Sequence, residues 1–216
     1  GFPWSLPSIW AHCGLLGFST QKLTWGSAVG IPFPIGVWEG PDGRGVIAAL
    51  DPGSYVRSID DCPPDTSPFW AKRIQENGKR YGVFADYHYY GVGDVGGAPR
   101  ASDVAAYTVA ASRNGLATED RFDLLPVSSD QFYFDITPEL RASLPRYAGD
   151  MLLTEHSAGT LTSQSYMKRW NRQSERLADA AERAAVTADW LGVGDYPTER
   201  LERAWIRLLA NQMHDI

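Results

Sequence analysis

Hydrophobic and polar positions follow two different patterns along this chain. Up to about residue 140, short apolar runs of strand length alternate with segments of helix length; after Pro145 the pattern turns long, polar and helical. Residues 17–21 read as a short strand. Val46-Ile47-Ala48-Ala49-Leu50 is an unbroken apolar run, as expected of a strand buried on both faces. Residues 81–85 are the next strand, and 122–127 and 132–136 are the last. Ser5 caps a short helix over residues 6–12, with Pro7 in its first turn and Gly14 as its stop. Ser67 and Pro68 open a second helix through Glu76, closed by Asn77-Gly78, and Ser102 caps a third over residues 103–113. Strands and helices in this order predict an α/β layer around a parallel sheet.

Beyond Pro145, residues 163–190 form one polar, Ala-rich helix with Tyr166, Trp170, Leu177 and Ala181 near one face. Gly192-Val193-Gly194 breaks it, and Asp195 with Pro197 starts another. Leu201, Ala204, Trp205, Leu208 and Leu209 then recur at i, i+3, i+4, i+7 and i+8, a core-facing stripe. Two long helices joined by a short Gly-rich turn make an antiparallel pair that a third helix would complete into a bundle. The predicted domains are therefore 1–145, α/β, and 146–216, all-α.

Composition narrows the function classes. The chain is 44% hydrophobic and 12% aromatic, with 8 Trp and 10 Tyr, enough to bury a core. Aromatic surface of that kind stacks on sugar rings; more often it packs cores and interfaces. A net charge of −6 with no Lys/Arg run argues against a nucleic-acid partner. No stretch approaches the roughly 20 apolar residues of a membrane span. Cys13 and Cys62 make neither a disulfide framework nor a Cys-x-x-Cys metal knuckle. The chain starts at Gly1-Phe2-Pro3-Trp4 without Met and ends on His214-Asp215-Ile216 without a helix stop. It reads as an internal piece of a larger polypeptide, so its compartment stays open.

Candidate chemistry is sparse. At 100° per residue, His214 lies roughly 210–220° around the last helix from its apolar stripe, if that helix stays regular. It is then either a surface histidine or a ligand aimed into a neighbouring domain, and one imidazole does not make a metal site. In Tyr87-His88-Tyr89-Tyr90-Gly91-Val92-Gly93-Asp94-Val95-Gly96-Gly97-Ala98-Pro99, glycines surround one carboxylate after a predicted strand. Such a loop suits substrate binding, and it also suits a long surface turn in which Asp94 bonds its own backbone. It matches neither a dinucleotide nor a P-loop signature. No Gly-x-Ser-x-Gly elbow is present. His12, beside Cys13, is expected to pack, and His156 sits in a polar turn. These features point to a carbohydrate-active enzyme or a sugar-binding module.

Four segments, in order, resemble glycoside hydrolase family 38, the zinc-dependent α-mannosidases. They are Gly1-Phe2-Pro3-Trp4-Ser5-Leu6-Pro7-Ser8-Ile9 through Phe18-Ser19-Thr20-Gln21-Lys22-Leu23-Thr24-Trp25, then Trp38-Glu39-Gly40-Pro41-Asp42-Gly43, the Asp94 loop, and Tyr147-Ala148-Gly149-Asp150-Met151-Leu152-Leu153 through Lys168-Arg169-Trp170-Asn171-Arg172. Gln212-Met213-His214-Asp215 is similar to the family's Gln-x-His-Asp element. The resemblance implies a parallel-sheet α/β glycosidase domain followed by part of a three-helix bundle, and a retaining hydrolase of terminal α-mannosides or a related glycan. It implies Asp94 as general acid/base, Asp215, Lys22 and Tyr55 as sugar contacts, and His214 as ligand to one zinc ion. The nucleophilic Asp and the other zinc ligands are expected before Gly1, so the remainder of the parent polypeptide is needed to complete the site, and this stretch alone is expected to be inactive. Val95, Ala98 and Arg100 depart from the family pattern around the Asp94 loop. The other reading kept open is a diverged, non-catalytic sugar-binding or scaffolding member.

Overall fold

The two apolar runs that flank Gly40-Pro41-Asp42-Gly43 form the centre of the fold. The computed structural model describes residues 1–55, 63–93, 96–116, 118, 121–160 and 162–213. It divides into two compact units, Gly1–Ala158 and Gly159–Ile216.

In the first unit, helix α1 (Ser5–His12) leads to strand β1 (Gly17–Ser19) and a 3-10 turn at Lys22–Trp25. Strands β2 (Ile35–Glu39) and β3 (Gly45–Ala49) form a hairpin, closed where the Gly40 N–H donates to the Arg44 carbonyl at 2.7 Å. Helices α2 (Pro68–Tyr81), α3 (Ala101–Ala111), α4 (Gln131–Asp135) and α5 (Pro138–Ser143) follow, then strand β4 (Arg146–Ala148). The sheet order is β1-β3-β2-β4. β1 runs parallel to β3 and β4 parallel to β2, but β2 and β3 are antiparallel, so the sheet is mixed rather than parallel as expected. The reason is β2, which the reading of strand-like runs missed: its Gly36 and Trp38 interrupt the β-branched pattern.

Period-2 alternation in β2 and β3 separates two cores. Trp38, Ala48 and Leu50 face Leu23, Phe33, Met151 and Leu153. Ile35, Val37 and Ile47 face Val83, Phe132, Tyr133 and Leu144. β4 and the residues after it belong to this unit: Trp38 Nε1–H donates to the Gly149 carbonyl at 2.9 Å, and Phe2 and Met151 exchange backbone bonds at 2.9 Å. The change of character read at residue 145 therefore precedes the division between the units.

Three expected strands are not strands. Residues 81–85 supply Tyr81 to the end of α2 and Val83 to the second core, but the Ala85 carbonyl accepts from Asn77 Nδ2–H at 3.1 Å. Asn77-Gly78 does not stop α2 either. The Phe84 ring lies where a Gly78 Cβ would sit, and the stop comes at Gly82, whose φ of 76° closes the helix in the left-handed region. Residues 122–127 are held by Asn114 instead of a strand neighbour: its amide bonds both N–H and C=O of Leu124 at 2.8 Å. Residues 132–136 fall largely in α4, where a helical turn puts the adjacent Phe132 and Tyr133 into the same core. In a strand those two would face opposite sides.

The second unit is a helix pair, α6 (Ser165–Trp190) and α7 (Thr198–Ala210). Tyr196 Oη donates to Glu182 at 3.0 Å, and Gln212 Nε2–H to Glu175 at 3.0 Å, so α7 runs back along α6. Of the expected stripe, Leu201 and Leu208 are buried, while Leu209 is 59% exposed. On α6, Tyr166, Trp170 and Leu177 are exposed. No helix among the described residues is long and apolar enough to cross a membrane.

Candidate functional site

β1 and β3 run in the same direction, so their C-terminal ends lie on one edge of the sheet. That edge is where α/β layers hold ligands. The Thr20 N–H donates to the Ala49 carbonyl at 3.1 Å, carrying the pairing one residue past β1. Gln21 is buried, and its Oε1 accepts the Tyr55 N–H at 3.0 Å. Its Nε2 is buried and finds no hydrogen-bond partner among the described residues.

The 3-10 turn that follows aims Lys22 back across this edge. Its Nζ lies 3.8 Å from the Trp25 ring centroid and 5.4 Å from that of Tyr55, and donates to Tyr55 Oη at 3.4 Å. Cation–π contact with two rings holds the ammonium while leaving its charge in place. Beyond Trp25, the His156 ring packs edge-on at 4.6 Å. Tyr55 in turn covers Gly93: a Cβ there would fall 1.9 Å from Tyr55 Cδ2. Glycine is required because the ring occupies the side-chain position.

Lys22 and Tyr55, separated by 33 residues, are thus brought together beside Gly93. Asp94, the next residue, lies outside the described residues, as do His214 and Asp215. α7 ends at Ala210, so the angular argument for His214 from a regular helix does not extend that far. Among the described residues no group of three or more His, Cys, Asp or Glu could hold a metal ion. The described residues therefore do not by themselves fit zinc.

Sequence reading missed two features of this edge. The first is a tyrosine cluster about Ser19. Tyr89 Oη donates to Ser19 Oγ, and Tyr87 packs against Tyr89 at 5.5 Å and Tyr133 at 5.8 Å. Burial pushes all three phenols above their usual pKa, partly opposed by the Ser19 hydrogen bond. They stay neutral at ordinary pH, so none of them serves as a base; Tyr87 and Tyr89 donate, to the Ser129 carbonyl and to Ser19. The i, i+2 spacing of Tyr87 and Tyr89 was the available signal. The second is an ion array on α2. Arg73 Nη1–H donates to Asp51 Oδ2 at 2.8 Å and Nη2–H to Asp86 Oδ1 at 3.1 Å. Burial pushes the Asp86 carboxyl up to about 6, against the opposing pull of Arg73 and the Tyr87 N–H. No spacing in the sequence announces this array.

One other histidine-containing group has a different role. His12 is exposed and does not pack, contrary to expectation; its Nε2 meets Asp42 Oδ2 at 2.9 Å. Ser8 Oγ donates to the other Asp42 oxygen, and that bond, the Arg44 N–H and His12 hold the Asp42 carboxyl down at about 2. Ser8 and His12 both bond the carboxylate, so this is no nucleophile–base relay.

Residues 155–216 match the family model described as the alpha mannosidase middle domain. Over its whole length the chain is 29% identical across 224 residues to alpha-mannosidase 2C1 of Homo sapiens, covering 20% of that protein. It is 27% identical across 215 residues to alpha-mannosidase G of Dictyostelium discoideum, covering 19%. It is likewise 27% identical across 228 residues to an alpha-mannosidase of Saccharomyces cerevisiae, covering 20%. The chain spans about a fifth of the length of these curated relatives. The likeness to the α-mannosidase family read from the residues is borne out, and the relatives are glycoside hydrolases.

Proposed function

We propose that this chain forms one side of the sugar site of a retaining, zinc-dependent α-mannosidase. The observation that carries the reading is the convergence of Lys22, Tyr55 and Gly93 at the C-terminal edge of β1 and β3, in a chain similar to α-mannosidases from end to end. In this reading Asp94 is the general acid/base. It protonates the leaving oxygen and later takes a proton from water, while a second carboxylate roughly 5–5.5 Å away attacks the anomeric carbon. By the family resemblance, that nucleophilic Asp is itself a zinc ligand and is expected just before Gly1, with two further zinc ligands earlier still. Lys22, Tyr55 and Asp215 hold the sugar hydroxyls. His214 would contribute one ligand to zinc, which when bound would act as a Lewis acid toward sugar oxygens.

The same reading takes the first unit as part of an α/β glycosidase domain whose sheet is mixed, β2 and β4 running opposite to β1 and β3. It takes α6 and α7 as two helices of a three-helix bundle. Support for the bundle lies in Trp170, Leu177 and Leu209, each more than half exposed on the helix pair.

The test is hydrolysis of an aryl α-D-mannoside by the complete polypeptide that carries this chain, before and after chelation and zinc add-back. Activity lost with chelator and restored by zinc is the expected result. A folded protein inactive in every metal state refutes the mannosidase reading and leaves the binding module.

A further inference from the structure

Two separate segments approach the candidate site, and one arginine touches the start of both. Residues 51–55 leave the end of β3 and deliver Tyr55. Residues 86–93 deliver Gly93, against which the Tyr55 ring lies. Asp51 opens the first segment and Asp86 the second, and Arg73 bridges them. Its Nη1 serves Asp51 at 2.8 Å, while its Nε and Nη2 face the two Asp86 oxygens at 2.6 and 3.1 Å. The side chains of Arg73 and Asp86 are 11% and 3% exposed, so that half of the array is shielded from water, while Asp51 is 32% exposed.

Cross-ties between the segments run in parallel with the array. The Pro52 carbonyl accepts from the Tyr89 N–H at 2.8 Å and from His88 Nδ1–H at 2.9 Å. His88 packs on Trp70 at 4.0 Å, and Trp70 lies three residues before Arg73 on the same face of α2. The guanidinium carbon sits 4.9 Å from the Trp70 ring. A rigid planar fork can face three carboxylate oxygens on two segments at once, which a single ammonium cannot.

The geometry points to Arg73 as a positioning residue that sets the register between the segment carrying Tyr55 and the segment carrying Gly93. It acts on the site of the proposed mannosidase and rests on that reading for its catalytic consequence. Removing the arginine alone also costs stability, because it leaves Asp86 buried without its partner; the positioning role is what a local, rather than a uniform, change would show. Arg73 touches no candidate sugar contact directly. Its effect passes through the two segments.

The test compares Arg73→Met and Arg73→Lys with the wild type in the complete polypeptide. Amide hydrogen exchange at Tyr55 and Tyr89 should accelerate at least about tenfold in Arg73→Met, because local openings then cost less. Amides of β2 and β3 should keep their rates. On the aryl α-mannoside, kcat should fall by about ten- to a hundredfold with a smaller change in KM, since a misplacement of about 1 Å costs that much. Arg73→Lys should recover part of both. Unchanged exchange in both segments of folded Arg73→Met overturns the proposal, as does equal acceleration across β2 and β3. If Arg73→Met does not fold, Asp51→Asn must accelerate exchange at Tyr55 or the proposal fails. Exchange is read without turnover, so an inactive wild type would refute the mannosidase reading and leave the positioning role to be judged on exchange alone.

Discussion

Adding one methyl group at Gly93 tests whether Tyr55 and the loop beside it form one packed unit. In Gly93→Ala the new Cβ would fall 1.9 Å from Tyr55 Cδ2 and 2.2 Å from Cε2. Carbon atoms in ordinary contact sit about 3.5–4.0 Å apart, so the ring must move by about 1.5–2 Å. Tyr55 Oη is 3.4 Å from Lys22 Nζ, at the limit of a hydrogen bond, and that bond breaks when the ring moves. Overpacking of this kind costs about 1–3 kcal/mol. Tyr55→Ala removes the ring and opens the space the methyl needs. The double variant Gly93→Ala/Tyr55→Ala should therefore be more stable than the sum of the single losses by at least about 1 kcal/mol. Urea unfolding of the four proteins, followed by tryptophan fluorescence, measures the cycle. If the two costs add within about 0.5 kcal/mol, the residues are independent, and the packing argument for the site is wrong.

Other predictions follow from the charged groups. Asp65 is 1% exposed and accepts from Arg113 Nε and Nη2 at 3.0 and 2.7 Å, with Arg121 Nε at 3.3 Å. Asp65→Asn should cost about 2–3 kcal/mol in urea unfolding, below the usual 3–5 because both arginines can partly rehydrate; a loss under 0.5 would show that the ion cluster contributes nothing. Asp86, raised to about 6, favours the folded state most below its ordinary pKa of 3.8, and that contribution is lost as pH rises through about 6. The stability of Asp86→Asn relative to wild type should accordingly rise by up to about 3 kcal/mol between pH 4 and pH 7. Parallel stability–pH curves would contradict the raised pKa. In the complete polypeptide, Asp94→Asn should abolish turnover of the aryl mannoside while zinc stays bound, and near-normal rates would remove Asp94 from the acid/base role. His214→Ala should lower zinc content on elemental analysis, and an unchanged content would count against the ligand role.

Legibility varied with how local each signal was. The β3 strand was readable because Val46-Ile47-Ala48-Ala49-Leu50 is apolar on both faces and has no competing interpretation. α6 was readable within two residues at its start, since propensity and a Gly-rich stop agree over a long window. Residues 122–127 were not, because an apolar run reads the same whether its backbone pairs with a strand or with the Asn114 side chain. Residues 132–136 failed for a related reason: five residues are too few to separate periods of 2 and 3.6.

At the candidate site the same division holds. Family resemblance named Lys22 and Tyr55, but nothing in their spacing says that Nζ and Oη lie 3.4 Å apart. That proximity depends on Gln21 holding the Tyr55 backbone and on parallel pairing of β1 with β3. Arg73 carried no sequence signal, since one arginine on a polar helix usually faces solvent. The sequence by itself determined β3, the long helix α6, the change from α/β to helical character, and the likeness to α-mannosidases, because composition, periodicity and motifs are properties of neighbouring residues. Only the tertiary structure decided the antiparallel β2 in the sheet, the sharing of Arg73 between Asp51 and Asp86, and the contact of Tyr55 with Gly93. Those depend on segments distant in the chain competing for the same space, charge and hydrogen bonds, and no local pattern records the outcome of that competition.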